Sequence, residues 1–373
     1  MFKFKMYESF SDELKSSWQQ FENVSSLYVF QTFTWSKHWY ETIGAQENYL
    51  LNIVEISDKK DDIIMMLPLV KKRNFYFWNI EWIGDIQFDY QAPICNEKFV
   101  WTEIIFNKMM TQLEIIFKKN NISYIHFINQ PKIINNYYNP FYIYLKSYEI
   151  QQASYIDFSL EEDYFKKPSL KKILLDSKRQ KKRLKKIGNI KFIIAENEID
   201  FKLQAETMIS QKQVQYLNGG IKNLLKKDYI KNFYRFSFHK GINNLQMASL
   251  EINEAFISTH WGAVYKNRFY YMMPAYERGE MSKYSTGKIL LEELIKWSID
   301  NGIKIFDFTI GGEAYKKGWC NSELSISKTL IPLTLIGRIF SNYIIFEKKL
   351  TLKILRLHKI MSFYRFLKKY LKA

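Results

Sequence analysis

Apolar positions along the chain change their period several times, and each change predicts an element. Asp12–Phe21 and Trp35–Ile43 carry large apolar residues three and four apart, the spacing of helices with one buried face. Runs rich in aliphatic and aromatic residues follow at Tyr49–Ile56, Ile63–Lys71 and Phe75–Ile83 and read as strands. From Phe99 to Lys119 the helical period returns through Ile105, Met109, Leu113 and Ile116. Ile122–Ile128 then reads as a strand and Tyr142–Lys146 as a further one.

The same order repeats downstream. A helix over Leu170–Ile187 and a strand over Lys191–Ala195 precede helices at Phe201–Tyr216 and Asn223–His239. Strands follow at Leu245–Ile252, Ala255–Tyr265 and Arg268–Met273, broken only by Asn253-Glu254 and Lys266-Asn267, which are hairpin signals. A helix over Lys288–Ile299 and a strand over Ile303–Thr309 complete the unit. Glu161-Glu162-Asp163 and Pro168 interrupt the pattern between the halves. The expectation is an α/β (α+β) chain of two similar halves, residues 1–155 and 156–328, with a basic tail at 329–373.

Composition narrows this picture in two places. With 373 residues, 47% hydrophobic and 25% charged, the chain suits two ordinary globular domains and no disordered class. Cys95 and Cys320 share no metal or redox spacing, no metal-ligand pattern joins the five histidines, and no signal peptide is expected, so a cytoplasmic location fits. The net charge of +17 is concentrated in residues 166–191, at +11, and 330–373, at +9, on a body close to neutral. Each basic element needs its own explanation, a partner or, for the helix, simple solvation. The tail mixes basic and apolar residues, among them Leu333, Ile336, Ile339, Tyr343, Phe346, Leu350, Leu357, Phe363 and Leu367. It reads either as an amphipathic helix making peripheral contact with anionic lipid on the inner face of a membrane, or as helix packed on the body.

The densest chemistry is Tyr284-Ser285-Thr286-Gly287-Lys288, a Gly-containing turn that opens a helix after a strand. Unpaired amides and the helix dipole make such a turn an anion site, suited to the pyrophosphate of coenzyme A. It is equally the pattern of ordinary capping. Phe306-Asp307-Phe308-Thr309-Ile310-Gly311-Gly312 and Tyr315-Lys316-Lys317-Gly318-Trp319 lie downstream, and Tyr270-Tyr271-Met272-Met273-Pro274-Ala275-Tyr276-Glu277 upstream. Together and in this order these motifs resemble the GNAT-superfamily acetyltransferase domain of cellulose-biosynthesis proteins of the CelD/BcsL type, distantly similar to the FemAB aminoacyl transferases. The sequence departs at Thr286, where proline is usual, and at Glu277, where aspartate is common. The resemblance implies two tandem GNAT-like domains, each a mixed, mainly antiparallel sheet flanked by helices. It implies an acyltransferase with acyl-CoA as co-substrate and no tightly bound cofactor, acting on a cell-envelope or polysaccharide precursor. FemAB-like transfer from aminoacyl-tRNA, and a non-catalytic adaptor of polysaccharide synthesis, are the alternatives.

Particular residues then acquire expected roles. Lys316 matches a lysine that, in the resembling families, steadies the transferred acyl group; the plainer reading is a surface loop lysine. Asp307 alternates with Phe306 and Phe308 and so faces away from them, toward a cleft as orienter or base, or into a buried turn. His260, in a central strand, is a proton-transfer candidate or a satisfied structural ring. Asp89 and Tyr90 lie where the families bind acceptor. Arg179 and Arg183, four apart on one helix, suit a phosphate or carboxylate. The acceptor would be an anionic small molecule or glycan, with tRNA phosphates as the other candidate for the basic helix.

Overall fold

The structure is a computed structural model. It describes residues 2–74, 76–218, 223–236, 245–313 and 315–370, with residue 352 and residues 354–370 described as backbone.

The first half opens with strand β1 (Lys3–Tyr7), helix α1 (Asp12–Glu22), strand β2 (Ser25–Ser26) and helix α2 (Phe33–Trp39). Ser11 Oγ caps α1 by accepting from the Leu14 amide at 3.2 Å, and Leu14, Trp18 and Phe21 form its buried face. Strands β3 (Leu50–Leu51), β4 (Ile53–Ser57), β5 (Ile63–Leu67), β6 (Leu69–Asn74), β7 (Phe77–Trp82) and β8 (Ile94–Asn96) follow. Helix α3 (Glu103–Lys119), strands β9 (Ile122–Pro131), β10 (Ile133–Ile134) and β11 (Tyr137–Tyr138), helix α4 (Pro140–Tyr144) and strand β12 (Ser147–Asp157) complete it. The second half has helix α5 (Lys171–Leu184), strand β13 (Ile190–Ile194), and helices α6 (Glu198–Asn218) and α7 (Asp228–Arg235). Strands β14 (Leu245–Ile252), β15 (Ala255–Tyr265) and β16 (Arg268–Tyr276), helix α8 (Thr286–Asp300), and strands β17 (Ile305–Ile310) and β18 (Ser322–Pro332) lead to helix α9 (Leu335–Tyr370).

Eleven strands form one sheet in the order β13-β14-β15-β16-β17-β12-β18-β9-β7-β6-β3. Its pairs are antiparallel except β16 with β17 and β7 with β9. Both exceptions span a helical crossover, α8 in one half and α3 in the other, as parallel neighbours require. Each half therefore repeats hairpin, helix and parallel strand. The halves also exchange strands. β12 pairs with β17 of the second half, while β18 returns to pair with β9 of the first, and β12 and β18 pair with each other. The fold is thus a mixed, mainly antiparallel α/β structure flanked by helices. A smaller sheet, β1-β4-β5-β8-β2, covers the first half.

The polar breaks Asn253-Glu254 and Lys266-Asn267 are two-residue hairpins with all four φ values positive, between 46° and 65°. One core cluster runs through both halves and includes Trp18, Phe30, Trp35, Trp82, Phe201, Trp261 and Tyr270. A second lies under α8, with Phe269, Leu290, Leu294, Phe306, Phe308 and Trp319.

One expectation is corrected. Tyr142–Lys146 is helix α4 and loop, not strand, because Asn139 caps the Phe141 amide at 3.0 Å and Pro140 supplies a helical first position. The polar stretches that form β12 and β18 carry no strong strand pattern and were unread. Within 223–239, α7 covers Asp228–Arg235, and residues 237–239 lie outside the described residues, as do the side chains of Leu357, Phe363 and Leu367.

Candidate active site

The site begins where two parallel strands part. β16 and β17 pair over only three residues, Arg268–Tyr270 against Ile305–Asp307, and then separate. Both strands are irregular at this point. The β15–β16 register shifts between Trp261 and Gly262, Thr309 on β17 has φ of 57°, and Gly311, just after it, has φ of 141°. A β-branched residue at positive φ is costly and persists only where its surroundings impose it. Here the Thr309 amide donates to Asp307 Oδ1 at 2.8 Å. At Gly311, whose φ favours glycine, a Cβ would stand 2.7 Å from Lys316 Nζ and closer still to the Glu313 carboxylate, so both side-chain ends would have to shift.

Separated strands leave backbone groups without ladder partners, and lysines take several of them. Lys316 Nζ donates to the carbonyls of Phe308 at 3.0 Å and Ile310 at 3.3 Å and pairs with Glu313 at 2.9 Å. On the other strand, Lys212 Nζ of α6 donates to the Pro274 carbonyl at 2.9 Å and Gln215 Nε2 to that of Tyr276 at 3.0 Å.

Helix α8 starts at the mouth of this opening. Ser285 precedes it in the left-handed conformation, φ 54° and ψ 43°. Its carbonyl takes the Lys288 and Ile289 amides, so helix geometry leaves those of Thr286 and Gly287 without an intrahelical acceptor. Two cavities meet at Ser285, Lys288 and Tyr315. One, of about 300 Å³, reaches past Gly287 to Tyr271, Pro274 and Tyr276 in the strand opening. The other, of about 560 Å³, runs between α8 and the basic helix α5 and is lined by Lys172, Arg179, Gln180 and Trp319. Arg183 lies over the Tyr284 ring at 5.0 Å, so both arginines of α5 stand beside the turn.

A group of interacting charges sits at the inner end. Burial pushes the Asp89 carboxyl up to about 6, against the opposing pull of the Thr309 hydroxyl and Lys316. Burial lowers Lys212 to about 8, partly offset by Glu313. The Glu313 carboxyl is lowered: burial raises it, but hydrogen bonding and attraction to Lys316 outweigh that.

The sequence-predicted residues therefore fall into three places. Tyr284, Ser285, Thr286, Gly287, Lys288, Arg179 and Arg183 gather at the turn. Asp89 and Lys316 gather at the inner charges, which separates Asp89 from the two arginines of α5. Asp307, Tyr90 and His260 are fully buried. Asp307 pairs with Arg268 at 2.7 Å and accepts from the Tyr90 hydroxyl at 2.8 Å, so it does face away from Phe306 and Phe308, but into a sealed contact between the halves. His260 stacks on Tyr271 at 4.4 Å, and neither ring nitrogen has a hydrogen-bond partner among the described residues. Burial, with the Lys212 charge, lowers it to about 3, so the ring is uncharged near neutrality.

Sequence reasoning missed Lys212 and Arg268, and placed Tyr315 in a motif without expecting it at the substrate. Tyr315 lines both cavities and is 37% exposed. A signal for Lys212 existed: Gln204, Gln211 and Gln215 are polar residues on the buried side of α6, and such residues serve a partner.

Comparison with known proteins agrees with this architecture. Residues 172–317, less than half of the chain, match the family described as Acetyltransferase (GNAT) domain. No curated protein matches the chain. Among solved structures, the chain is similar to FemX, with a TM-score of 0.57 at 10% identity over 91% of this chain and 99% of that one. It is similar to the C-terminal domain of a protein from Agrobacterium fabrum provisionally called a lysylphosphatidylglycerol synthetase, with a TM-score of 0.51 at 8% identity over 89% and 94%. A tandem GNAT protein from the clavulanic acid biosynthesis pathway aligns at 0.50 and 7% identity over 90% and 99%. At these identities the likeness is one of fold, and the match to the GNAT acetyltransferase family covers residues 172–317 within it.

Proposed function

We propose that the protein moves an acyl group from acyl-coenzyme A to an amine or hydroxyl by direct attack in a ternary complex. The acceptor in this reading is a precursor of the cell envelope or its polysaccharide, which the resemblance of residues 270–319 to the CelD/BcsL type supports. The observation that carries the reading is the pair of cavities meeting at Ser285, Lys288 and Tyr315, one with Lys172, Arg179 and Lys288 in its lining, the other leading into the opened strands. The donor's phosphates would take the Thr286 and Gly287 amides with Lys288 and Arg179. Its thioester would then lie along the opening toward Asp89.

The acceptor nitrogen or oxygen attacks the acyl carbon there. Its bond to carbon forms, the carbon–sulfur bond breaks, the coenzyme leaves as thiolate, and the acceptor's proton passes to Asp89. The Lys212 ammonium opposes the negative charge that develops on the acyl oxygen. Asp307 and Arg268 hold the two halves in register beneath these groups.

Calorimetric titration with acetyl-coenzyme A tests the donor. Saturable binding is expected, and it should vanish in Gly287→Trp, whose side chain would enter the cavity beside Tyr276. Absence of binding by the wild type to acetyl- and longer acyl-coenzyme A would reject the reading. The charge of α5 favours one other donor, an aminoacyl-tRNA, for which Arg179 is 71% exposed. That donor would bind with steep salt dependence and be displaced by uncharged tRNA.

A further inference from the structure

Helix α9 leaves the body with an apolar face turned outward. Its first turns are anchored: a Cβ at Gly337 would fall 1.8 Å from the Ser123 carbonyl oxygen, Phe340 packs edge-on against Phe77 at 4.6 Å, and Ser341 is buried. Leu335, Ile336, Ile339, Tyr343, Phe346 and Leu350 are each between 46% and 78% exposed. At 3.6 residues per turn these six fall within an arc of roughly 100°, with Gly337 and Ser341 on the opposite side and Phe340 flanking one edge.

Arg338, Lys349 and Lys353 border one edge of the stripe and are exposed. Residues 330–373 hold ten Lys and Arg against Glu347 alone. A wide apolar stripe with a cationic rim matches a surface that is apolar within and anionic at its face. Among the described residues no helix is long and apolar enough to cross a membrane.

We propose that α9 docks the protein on an anionic lipid surface, with Leu335, Ile339, Tyr343, Phe346 and Leu350 inserted at the headgroup boundary and Arg338 and Lys349 against lipid phosphates. This requires nothing of the acyl-transfer site. A second copy of the chain is the competing occupant, and the basic rim disfavours it, since two rims of one sign would be brought together.

Co-sedimentation of the full chain with vesicles separates these. The wild type should sediment with vesicles of phosphatidylcholine mixed with phosphatidylglycerol, weakly with phosphatidylcholine alone, and less as salt rises. Ile339→Glu with Phe346→Glu should reduce partitioning by roughly tenfold or more, and so should Arg338→Glu with Lys349→Glu. These side chains are exposed, so the thermal midpoint should not move, which keeps a folding defect distinguishable. Failure of the wild type to bind the mixed vesicles, or variants that bind as it does, would overturn the proposal. So would a wild-type dimer by light scattering that Ile339→Glu with Phe346→Glu converts to monomer.

Discussion

Three buried polar residues, Asp307, Arg268 and His260, divide the labour of this site from its support. The Asp307–Arg268 pair is sealed, with the guanidinium also lying over the rings of Tyr28 at 5.3 Å and Tyr155 at 5.6 Å. Removing one partner strands the other charge without water. Arg268→Met should therefore cost about 3–5 kcal/mol in denaturant unfolding, much of the stability of an ordinary domain. His260 has its folded pKa lowered to about 3 from 6.5. The unfolded chain binds the proton first as pH falls, so stability is lost between those two values at up to roughly 1.4 kcal/mol for each pH unit. His260→Phe should flatten that acid slope in thermal melts from pH 7 to pH 4 (about the lower limit before carboxylates dominate). For turnover, Asp89 must be ionised, so kcat/KM should rise with pH through about 6, and Lys212 should add a fall through about 8. Asp89→Asn should remove the acid limb and Lys212→Met the alkaline one. A profile unchanged in both variants would place the proton transfer elsewhere.

At the scale of elements, the hairpins were legible because their two-residue polar breaks sit between clean strand patterns. Their positive φ values make a specific expectation. Glu254, at φ 65°, is a charged residue in a conformation that glycine adopts freely, so Glu254→Gly should raise stability by about 0.5–1 kcal/mol. Lower stability would mean that the Glu254 side chain contributes more than the turn's strain. Helix α8 was read from apolar spacing, and the first half's helix and parallel strand likewise. β12 and β18 were not, because strands such as Ser147–Asp157, with Glu149, Gln151 and Gln152, owe their state to neighbours on both sides and not to their own pattern.

Across the whole molecule, that exchange of strands makes the halves interdependent. Beside its short pairing with β16, β17 is flanked by β12, from before residue 158, and β18 is flanked by β12 and β9, both from the first half. The main core cluster also draws Phe201 and Trp261 together with Phe30 and Trp35. Residues 156–328 produced alone should therefore lack a cooperative thermal transition, while the full chain unfolds in one step by circular dichroism and tryptophan fluorescence. A cooperative melt of the fragment would show that β12 and β9 are dispensable to it.

The sequence by itself determined the elements with strong periods, the tandem order of the halves, the basic helix and tail, and the Tyr284–Lys288 turn, because local spacing and local amide geometry decide those. Tertiary structure alone decided which charges meet. Asp89 lies more than two hundred residues from Thr309 and Lys316, and Lys212 reaches a carbonyl 62 residues away. The same holds for burial: whether Asp307 and His260 open to a cleft or close into a core depends on what the other half lays over them, and no local pattern records it.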